Sequence, residues 1–388
     1  MRCMMRDFEQ LKKMTTDFYS IKPDAPIALE EFGYYSKEEW IRQGHIRENE
    51  DLNKLFKFER LANYYLPGLS GTTAPFIPRF KEEIIGSDDT YEIAKDKAGR
   101  TVKYFKGKRD GFMPQYLDFP VKDLKTWKDI EWRLDYNSAE RNEDVQRDII
   151  KALPIAKQGY HLIQYIVGAF MYLRSLIGGE EILYMIYDEP ALIHTCMKKW
   201  LELSDYITAK YQDHVRIDEL LFDEDICYNH GSLISPAQIR SFLFPYYKEL
   251  IQGVRNRNNR LALLDKNSVY KQPKGYDLII HVATDGDCRP VIPVYKEIGM
   301  NYMSPMEVAS GCDVVQIRKD HPDIRIKGGI DKRILAHSKE AIKIEIDRIL
   351  PFMKKHGGYL PTCDHGVPAE VPFENYVYFR ELLREYTR

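Results

Sequence analysis

Short apolar runs alternate with helical segments over most of the chain, and this alternation constrains the fold more than any other feature of the sequence. The runs have the length of β-strands and lie at 162–170, 219–225, 260–265, 276–287, 301–307, 324–331 and 358–365. Strands that are apolar on both faces and separated by helices are typical of a parallel sheet covered by helices. The pattern therefore predicts an α/β fold.

The segments between these runs carry helix signals. Residues 235–238 read SPAQ, a capping box with proline at the first helical position. Ile193, Met197 and Trp200 recur at helical spacing after an Asp-Glu-Pro start signal. Helices of this kind supply the crossover connections that parallel strands require.

Most of the apolar runs end in glycine, a carboxylate or histidine. Polar residues at the carboxyl ends of parallel strands are typical of a (β/α)₈ barrel, whose active site is built from the loops at that face. We predict such a barrel over residues 151–388, with residues 1–150 forming a helical and irregular extension that caps it within one structural unit. Within this extension Ala98 and Gly99 predict the turn of a β-hairpin. A doubly wound open sheet is the alternative. No GxGxxG motif follows a strand, which disfavours a dinucleotide-binding version of that fold.

Composition excludes several other classes of protein. The net charge of −2 and the lack of a basic stripe disfavour nucleic acid and anionic membranes as partners. The first ten residues, MRCMMRDFEQ, contain no apolar signal core, and no stretch approaches the roughly 18 apolar residues of a membrane helix. The six cysteines form no CxxC pair and no dense framework, so we expect a reducing, cytoplasmic location. They are Cys3, Cys196, Cys227, Cys288, Cys312 and Cys363.

Aromatic residues are abundant, with 27 tyrosines and 17 phenylalanines. They serve either core packing or a pocket for a flat or aromatic ligand. Three tyrosines near strand ends, Tyr228, Tyr302 and Tyr359, are candidates for such a pocket.

Four strand ends carry the candidate chemistry, and the first two are acidic. In FDEDICYNHG (222–231) three acids follow an apolar run; they form either a solvated loop or, with Asp225 as our choice, a group that points into the pocket. In HVATDGDC (281–288) His281 is either a core histidine or a pocket residue. The turn at Asp285, Gly286 and Asp287 either caps the next helix or aims a carboxylate at a metal or substrate.

The other two strand ends add possible metal ligands. In SPMEVASGCD (304–313) small residues flank Glu307, which gives its side chain room to enter a cleft. In GGYLPTCDHGVP (357–368) Cys363 and His365 alternate with Asp364, so they face one side of the strand and Asp364 the other. Together with two carboxylates, Cys363 or His365 would complete a zinc site with an open position.

At these residues the sequence resembles the uroporphyrinogen decarboxylase superfamily. The resemblance rests on FDEDICYNHGSLISPAQIRSFLFPYYKELI, TDGDCRPVIPVYKEIGMNYMSPMEVASGCDVVQIRK, IKGGIDKRILA and GGYLPTCDHGVPAEVPFENYVYF, which occur in the expected order over about residues 150–388. It implies a TIM barrel. The superfamily contains porphyrinogen decarboxylases and zinc-dependent methyltransferases that work with corrinoid proteins.

The chain departs from both branches at their motifs. The arginine-containing RQAGRYLPE-type motif and the GDIL-like strand end of true decarboxylases are absent; the nearest string is IRQGHIREN (41–49). The His-x-Cys-Gly zinc motif of the methyltransferases falls on Ala283 and Asp285 if Gly286 is its glycine, so a carboxylate stands in place of the thiolate. An oxygen-rich site suits zinc that polarises a substrate oxygen more than zinc that activates a thiol.

The resemblance implies a methyltransferase that moves a methyl group from a small methylated substrate, such as an aryl methyl ether, to the cobalt of a partner corrinoid protein. No DxHxxG-type corrinoid signature is present, so the cobalamin would belong to the partner. We assign catalysis to Asp225, Asp287 and Tyr228, substrate contacts to His281, Tyr302 and Tyr359, and zinc ligation to Asp285, Glu307, Cys363 and His365. The alternatives are a metal-independent lyase with a cationic pocket, for which Arg174, Arg289 and Lys327 are the nearest cations, and a non-catalytic binding module. A homodimer is one option for assembly.

Overall fold

The structure, a computed structural model, describes residues 6–107 and 113–387. In chain order the strands are β1 (Asn63–Leu66), β2 (Glu83–Ser87), β3 (Tyr91–Lys95), β4 (Thr101–Phe105), β5 (Gln115–Asp118), β6 (His161–Val167), β7 (Glu219–Asp223), β8 (Cys227–Tyr228), β9 (Gly231–Ser232), β10 (Ile279–Ala283), β11 (Tyr302–Ser304), β12 (Arg325–Lys327) and β13 (Tyr359–Leu360).

The helices follow the same chain order. They are α1 (Phe8–Tyr19), α2 (Lys37–Arg42), α3 (Leu52–Leu55), α4 (Leu124–Ile130), α5 (Ala139–Gln158), α6 (Ala169–Ile177), α7 (Glu181–Asp188), α8 (Pro190–Gln212), α9 (Pro236–Gln238), α10 (Phe244–Leu264), α11 (Ile292–Lys296), α12 (Val314–Asp320), α13 (Lys339–His356) and α14 (Phe373–Tyr386). Short 3₁₀ turns lie at Glu131–Leu134, Val269–Lys271, Val308–Ser310 and Ile334–Ala336, and a π-helical turn at Ile239–Leu243.

A parallel sheet of seven described strands forms the centre of the molecule. Its order is β1-β6-β7-β10-β11-β12-β13, so each strand pairs with the next one along the chain. Helices connect successive strands on the outside, and the strands other than β1 are buried almost throughout; in β6 every residue but Tyr165 is buried. Six of the seven predicted apolar runs contain these strands, and the predicted α/β barrel class is confirmed.

One predicted strand is wrong. The run at 260–265 belongs to the last turns of α10, which extends from Phe244 to Leu264. Leu261 is buried, but Leu263 and Leu264 are largely exposed. The run is apolar, which suggests a strand, but it is not buried on both sides. The helical spacing of the residues before it continues through the run.

The sheet is curled so that its two edges approach each other. One cavity has residues from both edges in its lining. Tyr65 of β1 comes from one edge, and Lys327 of β12 and His365, which follows β13, come from the other. The segment at residues 29–36 lies between the edges. Its Leu29 bridges to Glu59, which precedes β1, and its Tyr34 to Val367, which follows β13, so this segment contacts the chain beside both edges.

Helix α1 closes the amino-terminal end of the barrel. Phe18 and Tyr19 pack in one apolar cluster with Ile279, Tyr302 and Leu360, which belong to β10, β11 and β13. The backbone oxygen of Tyr19 also accepts hydrogen bonds from the guanidinium of Arg325. Because this end is filled with side chains, a ligand can enter only from the opposite end.

A second sheet covers the open end. Strands β2, β3, β4 and β5 form an antiparallel meander, and Arg100, Tyr116 and Phe119 of this region line the cavity below. The predicted hairpin turn is present, with Gly99 at φ +80° between β3 and β4. The segment 1–150, predicted as an extension, also supplies β1 to the central sheet. Among the residues that the structure describes, no helix is long and apolar enough to cross a membrane.

Candidate active site

The cavity at the carboxyl ends of the barrel strands has a volume of about 880 Å³. Its walls combine aromatic and apolar side chains from the covering sheet with polar side chains from the strand ends. Such a mixture is typical of a small-molecule site, where apolar surface provides affinity and a few polar groups fix the orientation of the ligand. The position also matches the face at which barrel enzymes place their catalytic groups.

Three carboxylates form an acidic wall at the ends of β7 and β10. Asp223 accepts a hydrogen bond of 2.8 Å from the hydroxyl of Tyr165. Asp225 lies at φ 42° and accepts one of 2.5 Å from Arg174. Asp285 has its Oδ2 atom 3.8 Å from Nε2 of His365. The left-handed backbone at Asp225 is uncommon for a residue with a side chain and turns this loop back toward the cavity.

Asp285 is the carboxyl group in this wall whose proton affinity is most altered. Burial, and then the negative charge of Asp225, raise its pKa to about 6, although the nearby His365 acts in the opposite direction. The side chain of Asp285 is 48% exposed. The exposed part faces the cavity, so the carboxyl group is still surrounded by protein. A carboxyl group with this pKa is protonated for part of the time near neutral pH and can act as a general acid.

The cations that line the cavity within residues 6–107 and 113–387 each face a carboxylate. Arg174 pairs with Asp225, as above. Arg100 lies 2.7 Å from Asp96, and Lys327 lies 3.8 Å from Glu30. Their charges are therefore balanced within the protein, whereas the wall formed by Asp223 and Asp285 adds negative charge. The cavity suits neutral or cationic ligands better than polyanions.

Polar side chains continue below the acidic wall, on the floor of the cavity. His281 and Ser304 both line the cavity, and Nε2 of the imidazole lies 2.8 Å from the serine hydroxyl. Nδ1 of His281 lies 2.8 Å from a carboxylate oxygen of Glu219, which is fully buried. The second oxygen of Glu219 lies 2.9 Å from His161.

Of the residues predicted for catalysis, only Asp225 lines the cavity. Tyr228 is 46% exposed and its ring contacts His230 at the surface. Asp287 accepts two hydrogen bonds from the guanidinium of Arg289, and these lower the pKa of its carboxyl group. Asp287 has a role in the turn instead, because Gly286 at φ +80° redirects the chain after Asp285, and the backbone N–H of Asp287 donates to the backbone oxygen of Tyr228 at 2.8 Å.

The residues predicted to contact the substrate also fall into two groups, those that line the cavity and those that do not. His281 lines the cavity. Tyr302 lies beneath it, 3% exposed and stacked on the His281 ring with centroids 3.6 Å apart. Tyr359 is buried and its hydroxyl donates to the backbone oxygen of Gly328 at 2.8 Å. Both tyrosines are therefore core residues, and neither lines the cavity.

The four predicted zinc ligands do not converge. Asp285 and His365 approach each other, but Glu307 accepts from the backbone of Gly286 at 2.9 Å and lies near Lys332. Cys363 is fully buried, and its backbone N–H donates to Glu31. No group of three or more His, Cys, Asp or Glu side chains in the described part of the chain could hold a metal ion. This donor geometry does not fit the predicted site, because Glu307 is held by the backbone of Gly286 and Cys363 is buried away from the cavity.

Asp364 connects neighbouring loops instead of facing the cavity. Its carboxylate accepts from the backbone of Val308 at 2.9 Å and of Lys332 at 3.2 Å, and it lies 3.2 Å from the Lys332 ammonium. In the stretch 363–365 only His365 reaches the cavity.

Several cavity residues were not singled out from the sequence. Asp223 occupies the inward face of β7 together with Glu219 and Leu221, whereas the sequence alone favours Asp225. Ser304 and Tyr165 lie in strands and resemble ordinary core residues. The available signal was the two-residue alternation: counting inward from a known strand end would have identified Asp223 and Ser304.

The chain is similar to known proteins over most of its length. The family model for uroporphyrinogen decarboxylase (URO-D) matches residues 96–386. A uroporphyrinogen decarboxylase from Geobacter metallireducens is 24% identical over 280 residues, which cover 69% of this chain and 74% of that protein. The chloroplastic enzyme of Zea mays is 25% identical over 52% of this chain, and the match spans 44% of its length. Several other curated relatives are also matched over only about half of their length.

A solved structure gives the same fold. The chain is similar to a methyltransferase from Methanosarcina mazei with a TM-score of 0.57 and 14% sequence identity, covering 97% of this chain and 99% of that one. At this identity the likeness concerns the fold, and the chemistry must be argued from the cavity itself.

Proposed function

The chain belongs to the uroporphyrinogen decarboxylase family, and from this premise we propose that it transfers a methyl group from a small, neutral methylated substrate, such as an aryl methyl ether, to the cobalt of a corrinoid held by a partner protein. The observation that carries the proposal is the charge of the cavity. The cations that line it in the described part of the chain are paired, and its wall at Asp223 and Asp285 is acidic. Aromatic and apolar side chains line much of the remainder, beside uncharged polar groups and two further acids, Glu180 and Glu181.

This charge pattern favours methyl transfer over decarboxylation of a porphyrinogen. A substrate with several carboxylates needs several cations that are free to bind it. Here Arg174 would have to leave Asp225, and the anion would then lie beside Asp223 and Asp285. A neutral methoxyarene meets no such repulsion and can stack against Tyr65 and Tyr165.

Asp285 supplies the proton that an ether needs to leave. As the methyl carbon bonds to cobalt(I), the carbon–oxygen bond breaks and its electron pair stays on the oxygen. The carboxyl proton of Asp285 moves to that oxygen, so the product is a neutral phenol and the residue ends as a carboxylate. The imidazole of His365, with its Nε2 atom 3.8 Å away, faces this carboxylate.

Zinc would provide a second way to stabilise the leaving oxygen, as a Lewis acid. Because the predicted ligands do not converge, no step of the proposal depends on a metal. Metal analysis of the purified chain tests the zinc prediction separately.

The experiment uses free cob(I)alamin as the methyl acceptor and 2-methoxyphenol as the donor, with methylcobalamin formation followed by absorbance. We expect the wild-type chain to accelerate the reaction and Asp285→Asn to lower the rate by about 10²- to 10⁴-fold. Asp129→Asn, which changes an exposed carboxylate on α4, is the matched control and should leave the rate unchanged. A wild-type rate equal to the buffer rate, with carbon dioxide released from a porphyrinogen, would instead favour the decarboxylase.

A further inference from the structure

Three side chains on adjacent strands form a continuous hydrogen-bonded line that ends at the cavity floor. Glu219 of β7 contacts Nδ1 of His281 on β10 at 2.8 Å. Nε2 of the same ring contacts the hydroxyl of Ser304 on β11, also at 2.8 Å. Carboxylate, imidazole and hydroxyl therefore follow one another in the order used by serine nucleophiles, with the hydroxyl nearest the ligand space.

The surroundings fix the orientation of this line. The His281 ring is stacked on Tyr302 with an interplanar angle of 15°, which restricts rotation of the imidazole. The second oxygen of Glu219 is held by His161, whose ring is stacked on Tyr19. Both ends of the carboxylate are thus engaged, and His281 is oriented by a partner that is itself immobile.

The protonation states suit a general base. Burial lowers the pKa of His281, so its imidazole is neutral near pH 7. Burial alone would raise the pKa of Glu219, but the hydrogen bonds from His161 and His281 outweigh it and lower this pKa to about 2. An ionised Glu219 accepts from Nδ1–H of His281, which leaves Nε2 free to accept the serine proton.

We propose that Ser304 is an activated nucleophile, with His281 as its general base and Glu219 as the residue that positions this base, and that it attacks small esters or other activated acyl or phosphoryl compounds in the cavity. This activity is separate from methyl transfer and does not depend on it.

The chemical step balances within the site. The Oγ atom of Ser304 bonds to the carbonyl carbon while its proton passes to Nε2 of His281. The bond to the alkoxide then breaks, and the imidazolium returns the proton to the leaving oxygen. Water, activated by the same imidazole, hydrolyses the acyl-serine and restores the hydroxyl.

A positive charge lies beside the attacking group. β11 and β12 pair with Tyr302 opposite Arg325 and Met303 opposite Ile326, so Ser304 is next to Lys327 in the register. Both side chains line the cavity. The ammonium of Lys327 lies 3.8 Å from Glu30, so it would stabilise the negative charge on the attacked carbonyl oxygen only by moving away from that carboxylate.

Labelling with a small alkyl fluorophosphonate tests the proposal on the full chain. The serine oxygen bonds to phosphorus, fluoride leaves, and mass spectrometry locates the adduct. We expect one label on Ser304, no label in Ser304→Ala, and labelling slowed by about 100-fold or more in His281→Gln. Ser87→Ala is the control, because Ser87 is an exposed serine at the end of β2 that does not line the cavity, and it should not change the label.

A test of the positioning role of Glu219 needs a second measurement besides the labelling rate, namely its pH dependence. Glu219→Gln should slow the labelling and also shift its pH dependence, since the His281 imidazole loses its negative partner and its pKa falls further. Because adduct mapping on the wild-type chain needs no variant, the result does not depend on the variants being stable. An unlabelled wild-type chain, or an adduct on another residue, would overturn the proposal.

Discussion

Asp285 determines the pH dependence expected for the proposed reaction. Its pKa of about 6 means that the acid form is lost as the pH rises through this value. The rate of methyl transfer should therefore be level below about pH 6 and fall toward tenfold per unit above it. Rates of methylcobalamin formation between about pH 5 and about pH 8 measure this. A rate that rises with pH through the same range would show that Asp285 is not the acid.

Glu224 should make the free energy of unfolding depend on pH. It is fully buried between the sheet and the outer helices, where it accepts hydrogen bonds from Tyr247 and Tyr295. Burial raises its pKa from 4.5 to about 7, despite these bonds. The folded state then binds a proton more tightly than the unfolded state, so this contribution to stability is complete below the unfolded value and is lost as the pH rises through about 7.

Glu224→Gln should remove that dependence. Between about pH 5 and about pH 8 the free energy of unfolding should decline less in the variant than in the wild type. Urea denaturation at several pH values measures it. An equal decline in both proteins would mean that Glu224 ionises in the folded state as it does in water.

At the residue scale the sequence located the right strand ends but often the wrong member of each. His281, Asp285, His365 and Asp225 lie in the cavity, whereas Tyr228 and Asp287 do not. The difference lies in how the loop after each strand turns, as the left-handed backbone at Asp225 and Gly286 shows. Such turns depend on dihedral angles and strand register, which residue types alone do not specify.

The element that positions Asp285 is the tight turn after β10. Gly286 has φ +80°, and a β-carbon there would lie 2.5 Å from the backbone oxygen of Tyr228. The backbone of Asp287 donates to the same oxygen at 2.8 Å. The loop after β10 is thus in direct contact with the loop after β7, and glycine is required at the point of contact.

Gly286→Ala should therefore destabilise the protein by more than its backbone conformation alone predicts. The left-handed φ costs roughly 1–2 kcal/mol, and the steric overlap should add about 1–3 kcal/mol. Gly44→Ala is the matched control, since Gly44 has φ +79° with open space around it. Thermal unfolding of both variants measures the difference. Equal losses would show that the loop contact relaxes without cost.

Elements were the most predictable level of the structure, and the exceptions have physical causes. Buried parallel strands are apolar on both faces, so β6, β7 and β10 are evident in the sequence. The antiparallel covering sheet was missed apart from one hairpin. Its strands are short and mostly exposed, as β2 and β5 show, so they carry little apolar pattern.

At the scale of the whole molecule, the N-terminal helix closes one end of the barrel and the antiparallel sheet covers the other. Tyr19 is 1% exposed and stacks on His161 with ring centroids 3.8 Å apart. This floor supports Glu219 and, through it, His281. The position of residues 1–150 before the barrel predicts that they cap it. That α1 closes one end while the antiparallel sheet covers the other depends on long-range packing, which the sequence does not specify.

Tyr19→Ala should destabilise the whole fold by about 3–5 kcal/mol, because it leaves a cavity under the barrel. Glu9→Ala on the same helix is the control, with an exposed side chain that contributes within about 0.5 kcal/mol. Chemical denaturation of both variants measures the effect. A loss for Tyr19→Ala no larger than that of the control would mean that α1 is not part of the folded core.

The charge of the cavity is the central claim, and calorimetric titration with two molecules of similar size tests it most directly. One is neutral 1,2-dimethoxybenzene and the other is the dianion benzene-1,2-dicarboxylate. With the cations at Arg100, Arg174 and Lys327 paired and the wall at Asp223 and Asp285 acidic, the neutral compound should bind about tenfold more tightly or better. Tighter binding of the dianion would contradict the claim and favour a substrate with several carboxylates.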